Sequence, residues 1–130
     1  MRKFKVFKLI MILLFVMTFS GCATLSGSLT NMTPAQKYDT YRTTFNDVIQ
    51  YQYLPWAKIQ PESTKVILRT EVNNMIKTTE KALDVYGKEI AIPGGDPEAK
   101  MNLYLDIKND LFALLLKYGL EVDESKGAPK

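Results

Sequence analysis

Two pairs of carboxylates stand at helical spacing in this sequence, Asp106 with Asp110 and Glu80 with Asp84. Side chains four apart on a helix share a face, so either pair could take a hard cation or share a proton. Calcium asks for six to eight oxygen ligands, no EF-hand loop is present, and Lys108 and Asn109 between the aspartates read as a solvated surface. Neither pair is expected to hold a metal. Three aromatics, Tyr51, Tyr53 and Trp56, crowd around Pro55. Rigid rings with polar tips are favoured at binding hot spots, so this group could grip a ligand, a glycan strand or a membrane interface, or could plug the end of a helix bundle.

Nucleophilic catalysis finds few parts. The chain has no histidine and one cysteine, Cys22, which removes the commonest general base near neutral pH, any Cys-rich zinc site and any internal disulfide. Ser63 and Lys65 are two apart and would point in different directions on a helix. Gly94-Gly95 lacks the lysine and hydroxyl residue of a phosphate-binding loop and reads as a turn. No catalytic role and no cofactor are expected.

The charge argues against a polyanionic partner. Of the 17 basic residues, Arg2, Lys3, Lys5 and Lys8 precede Cys22, and none of the 14 acidic ones does, leaving 13 against 14 and a net charge of −1. The excess positive charge that would suggest nucleic acid sits in a segment expected to be discarded. Those four residues form a positive n-region, and Leu9 to Phe19 an apolar stretch within the range of about 7 to 15 residues usual for a signal peptide. A membrane-spanning helix needs about 20 apolar residues, and Ser20 and Gly21 end the run too soon.

Phe19-Ser20-Gly21-Cys22 resembles the lipobox of bacterial lipoproteins, with small residues before the cysteine and phenylalanine where leucine is more usual. The resemblance covers residues 1 to about 23. It implies a diacylglyceryl group on the Cys22 thiol, cleavage after Gly21, and acylation of the new amino terminus. Each buried methylene contributes about 0.8 kcal/mol and stable anchoring takes at least two chains, so such a group would hold the protein at a membrane. Ala23, where in Gram-negative lipoproteins aspartate commonly signals inner-membrane retention, favours by the same resemblance the periplasmic face of the outer membrane if the envelope is Gram-negative.

From Ala23 to Met32 the chain is small, polar and uncharged, and reads as a flexible tether. Thr33-Pro34-Ala35-Gln36 then carries a helix start with a capping box. Tyr38, Tyr41, Phe45, Val48 and either Ile49 or Gln52 form its inward stripe, and Pro55 limits or kinks it. A second helix is expected from Pro61-Glu62 to about Tyr86, before Gly87, with Leu68, Val72, Met75, Thr79, Leu83 and Tyr86 inward. A third begins at the capping Asp96-Pro97 and ends at Tyr118 before Gly119, a left-handed C-terminal cap. Ile90-Ala91-Ile92 has no partner strand, and the connection it lies in reads as a loop.

The third helix carries more apolar surface than one seam needs. Met101, Tyr104, Ile107, Leu111, Leu114 and Tyr118 form one stripe, while Leu105, Phe112 and Leu116 lie toward another side. Either this helix is central and packed by both others, or its second side meets a partner or a second copy. The expected organisation is a signal peptide (1–21), lipidated Cys22 and tether (22–32), an all-α, up-down-up three-helix bundle (33–119) and a disordered tail (120–130). The domain also has the look of small uncharacterised helical lipoproteins of bacterial and prophage genomes. Three functional readings follow: a non-catalytic envelope binding or scaffolding protein, a phage-derived lysis or exclusion lipoprotein, and, disfavoured, an enzyme. The expected partners are the membrane, through the lipid, and either an envelope protein or a second copy, with no nucleic acid. The candidate interaction surface is Tyr51, Tyr53, Trp56, Leu105, Phe112 and Leu116.

Overall fold

A computed structural model describes residues 31–126. The signal segment, Cys22 and the tether up to residue 30 lie outside the described residues, as do residues 127–130. The chain divides after Thr33, and the described residues from Pro34 onward form one compact unit. That unit is all-α, three antiparallel helical rods in up-down-up order with no strand among the described residues.

The first rod, α1 (34–58), begins at Pro34, where the fixed φ of proline suits the first helical turn. It passes through Pro55 without ending. Pro55 has no N–H for the carbonyl four residues back, and its ring would crowd that carbonyl. A π-helical turn at Val48–Tyr53 widens the rod just before it, with the Leu54 amide donating to the Ile49 carbonyl five residues back. The extra residue in this turn moves the inward stripe: Phe45 and Val48 are buried as the spacing predicts, Ile49 packs partly buried on the core, and Tyr53 rather than Gln52 continues them.

The second rod, α2 (62–90), carries its own π-helical turn at Leu68–Val72, where the Asn73 amide reaches the Leu68 carbonyl. Beside it the Thr70 hydroxyl donates back to the carbonyls of Val66 and Ile67, a bond that competes with the regular ladder. The inward stripe is the expected one from Leu68 to Tyr86, with Ile76 more deeply buried than Met75. The helix does not stop before Gly87 but runs on to Ile90. Gly87 serves close approach instead of termination, since a Cβ there would lie 2.7 Å from the Tyr38 ring of α1. Ile90 thereby stays helical and packs on the core, and the connection that follows is only a short turn containing left-handed Gly94.

The third rod, α3 (97–117), starts as its sequence dictates: Asp96 accepts from the Ala99 amide at 3.1 Å and Pro97 occupies the first turn. It ends at a Schellman turn. Gly119 is left-handed at φ 98°, its amide donates to Leu116, and the Leu120 amide donates to Leu115 at 2.9 Å. This turn sends the chain back over the bundle. Residues 120–126 are therefore not a frayed tail: Leu120 and Val122 pack against the core. The Gln52 side chain pairs with the Asp123 backbone through both its N–H (2.6 Å) and its carbonyl (2.9 Å). The π turn, which takes Gln52 off the inward stripe, leaves it free for this bond.

The core has two parts. Near the amino end of α1 lies an aromatic ladder, with Tyr38 and Tyr41 against Tyr86, and Tyr41 and Phe45 against Tyr104, ring centroids 5.7 to 6.5 Å apart. Such edge and tilted pairs contribute about 0.5–1.5 kcal/mol each beyond their buried area. The Tyr86 hydroxyl donates to the Pro34 carbonyl at 3.1 Å, which ties down the start of α1. The second part gathers Phe45, Tyr53, Leu68, Val72, Ile76, Leu111 and Leu115 around the two π turns.

Burial sets the titration of the core tyrosines. It raises the phenols of Tyr53, Tyr86 and most of all Tyr104, where the Glu124 carboxylate and then Tyr41 add to desolvation. In the unfolded chain these phenols ionise near their ordinary value of about 10. The folded state holds its protons longer, so this contribution is complete below about pH 10 and is lost as pH rises beyond it. The urea midpoint is expected to fall more steeply between about pH 9.5 and 11 in the wild type than in Tyr104→Phe. Parallel curves would show that Tyr104 ionises as freely folded as unfolded.

Candidate functional site

The expected six-residue interaction surface does not assemble. Tyr53 is 3% exposed and part of the core, its hydroxyl donating to Asn73 Oδ1 at 3.1 Å. Trp56 is half-buried on the same core, its ring 6.3 Å from that of Tyr53. Phe112 is half-buried on that core too, and Leu105 belongs with the aromatic ladder. Only Tyr51 and Leu116 of the six are exposed. Of the three rings at Pro55, Tyr53 and Trp56 pack on the core as an end-plugging role requires, and Tyr51 does not.

The second side of α3 has a cover within the chain. Lys108, on the same side as Leu105 and Phe112, is 7% exposed. Its ammonium is 2.7 Å from Glu124 Oε1 and 5.6 Å from the centre of the Phe112 ring. A buried ammonium needs an opposite charge, and the returning segment provides one.

The carboxylate pairs stay on the surface. Asp106, Asp110, Glu80 and Asp84 are all exposed, and no group of three metal-ligating residues occurs among the described residues. Glu80 and Asp84 border a shallow depression of about 190 Å³ that also contains Arg42. Ser63 is exposed and has no relation to Lys65 beyond their separation in sequence.

The arrangement with the clearest chemistry lies where α1 and α2 meet beside their π turns. A groove of about 330 Å³ opens there, near the lower end of the size usual for ligand sites. Its apolar lining is Leu54, Ala57 and Leu68, and its charged lining is Lys58, Lys65 and Arg69, with Tyr53 and Asn73 between. Lys65 and Arg69 stand four apart on α2 and so share a face, while Lys58 comes from the last turn of α1. Arg69 is paired with Glu62 at 3.1 Å, both exposed. Lys58 and Lys65 have no carboxylate within ion-pair distance among the described residues. Asn73 accepts from Tyr53 at Oδ1, which leaves its amide N–H groups as donors.

Leu54, on the groove, is 54% exposed, and nearby in the chain Ile59 and Val66 are 79% and 54% exposed. Concave apolar surface with convergent donors is the usual form of a recognition site. Sequence reasoning did not find this groove. Lys65 and Arg69 at helical spacing were visible in it, but nothing local brings Lys58 and Leu54 alongside them.

A further depression of about 380 Å³ lies between the starts of α1 and α3, lined in part by Lys37, Asp96 and Glu98. Its charges are mixed, and Asp96 is committed to capping α3. No helix of the described residues is long and apolar enough to cross a membrane. Set beside protein-family models, curated proteins and solved structures, the chain matches none.

Proposed function

We propose that this chain is a lipid-anchored protein of the bacterial cell envelope whose helical domain binds a partner without transforming it. The observation that carries the binding role is the groove between α1 and α2, where apolar walls meet Lys58, Lys65, Arg69 and the Asn73 amide. These groups donate and attract, and nothing among them is arranged as a nucleophile with its base. The envelope location rests on the sequence: the n-region, the apolar stretch and the Phe19-Ser20-Gly21-Cys22 tetrapeptide coincide at one place. The groove is about 30 Å along α1 from Pro34, reckoned from the helical rise per residue. It therefore lies toward the far end of α1 from its start.

Intact mass of the protein extracted from cell membranes tests the anchor. The expected species begins at Cys22 and carries a diacylglyceryl group, with Cys22→Ala released from the membrane fraction. An unmodified chain beginning at Met1, or a soluble chain cleaved elsewhere, overturns it. A photo-crosslinking residue at Leu54 tests the groove in the same cells, and is expected to trap another protein. Crosslinks confined to neighbours within the chain would show that the groove is not the binding site.

A further inference from the structure

We infer that the α1–α2 groove takes a peptide segment of a partner protein that sets one apolar side chain between acidic residues. The inference rests on the groove being the binding site. Its apolar walls, Leu54, Ala57 and Leu68, fit a side chain rather than a bare ion. Its polar lining is one-sided: Lys58, Lys65 and the Asn73 amide all donate, and the first two lack carboxylate partners among the described residues. The complementary ligand accepts hydrogen bonds and carries negative charge, so charge complementarity selects carboxylates flanking the anchor.

Arg69 adds selectivity. Its pairing with Glu62 joins two exposed side chains and is weak, so a partner carboxylate can displace Glu62. Glu62 in turn repels ligands that bring no apolar anchor to offset it.

A phosphate polymer fits less well. Three cations with a carboxylate among them make a weak counter-ion sink, and the apolar walls would stay uncovered.

The test is selection of a displayed library of random dodecapeptides on the full-length chain held in detergent. Enriched sequences are expected to carry at least two acidic residues within three positions of an aliphatic or aromatic one. Their binding is expected to fall at least tenfold with Lys58→Glu/Lys65→Glu and to be unchanged with Lys88→Glu at the far end of α2. Enrichment of basic or uncharged sequences, or of none, overturns the inference. So does equal binding by the two charge-reversed chains, which would put the peptide elsewhere. Saturable binding to phosphatidylglycerol vesicles that requires Lys58 and Lys65, in place of peptide enrichment, reassigns the groove to a membrane and overturns it too.

The two proposals fail separately. Crosslinking from Leu54 that traps no protein refutes the groove as a binding site. Capture of a partner through a segment without acidic residues refutes only the ligand class. Circular dichroism of the charge-reversed chain is expected to match the wild type, since Lys58 is exposed, Lys65 is half-buried and neither belongs to the core; a lost helical signal calls for reading the experiment on Leu54→Asp, which blocks the apolar wall from an exposed position.

Discussion

Leu111→Ala is expected to lower stability by about 3–4 kcal/mol, within the range typical of burying a cavity at a leucine site. For a domain of this size that shifts the thermal midpoint down by about 15–25 °C. Leu111 has no exposed surface and sits among Phe45, Val72, Ile76 and Leu115. These residues come from all three helices, so relaxation around a void would have to move helices rather than side chains. A domain of about 100 residues has only about 5–15 kcal/mol in all, so this one change removes a large share.

The internal control is Leu116→Ala. It has the same chemistry on the same helix, five residues on, but Leu116 is 59% exposed, and a surface change of this kind stays within about 0.5 kcal/mol. Thermal denaturation of both variants checks the pair. Equal losses would mean that Leu116 is covered in solution, by a second copy or another partner, and would restore part of the apolar second side of α3 to an interface.

What could be read from the sequence, and what could not, divides by the range of the interaction responsible. Asp96-Pro97 starts α3 and Gly119 ends it because caps are satisfied within four residues of themselves. The stripe from Leu68 to Tyr86 is likewise legible, since a long amphipathic helix repeats its signal over several turns. Gly87 misleads for a definite reason. Its value lies in admitting the Tyr38 ring from another helix, and a glycine at a helix end looks the same in sequence as one kept for close approach. The π turn of α1 is silent in any fixed period, because it adds one residue and brings Tyr53 rather than Gln52 onto the stripe.

The candidate site suffers most from this limit. Lys58 and Lys65 belong together only once α1 and α2 are placed side by side, and the two π turns decide which side chains line the space between. Pro55 was the one local hint, since proline within a helical pattern must be accommodated by some irregularity. The rings beside it drew attention to a recognition patch. Tyr53 and Trp56 pack on the core, Tyr51 is exposed, and the open space beside them is lined by aliphatic and charged residues together with Tyr53.

Ending the chain at Gly119 is the second change with a large expected effect, about 3 kcal/mol of stability and a thermal midpoint lower by about 15 °C. Three losses add. Leu120 and Val122 leave the core, at about 1 kcal/mol each for half-buried aliphatics. Gln52 loses its pair of bonds to Asp123, each worth about 0.5–1.5 kcal/mol. Lys108 loses Glu124, but the loss of the cover also lets water reach the ammonium, so the full penalty of an unpaired buried charge, about 3–5 kcal/mol, does not apply. Glu124→Gln separates the last effect from the others: the segment stays in place, the charge goes, and the expected loss is smaller than for truncation. The truncated chain is also expected to self-associate in light scattering, because the Lys108–Phe112 side of α3 becomes an uncovered apolar face. An unchanged midpoint would mean that residues 120–126 merely rest on the bundle. A lowered midpoint without association would mean that the segment stabilises the core but does not shield α3. Only both changes together make the returning segment the element that keeps a partner, or a second copy, off this side of the bundle and leaves the α1–α2 groove as the surface open for binding.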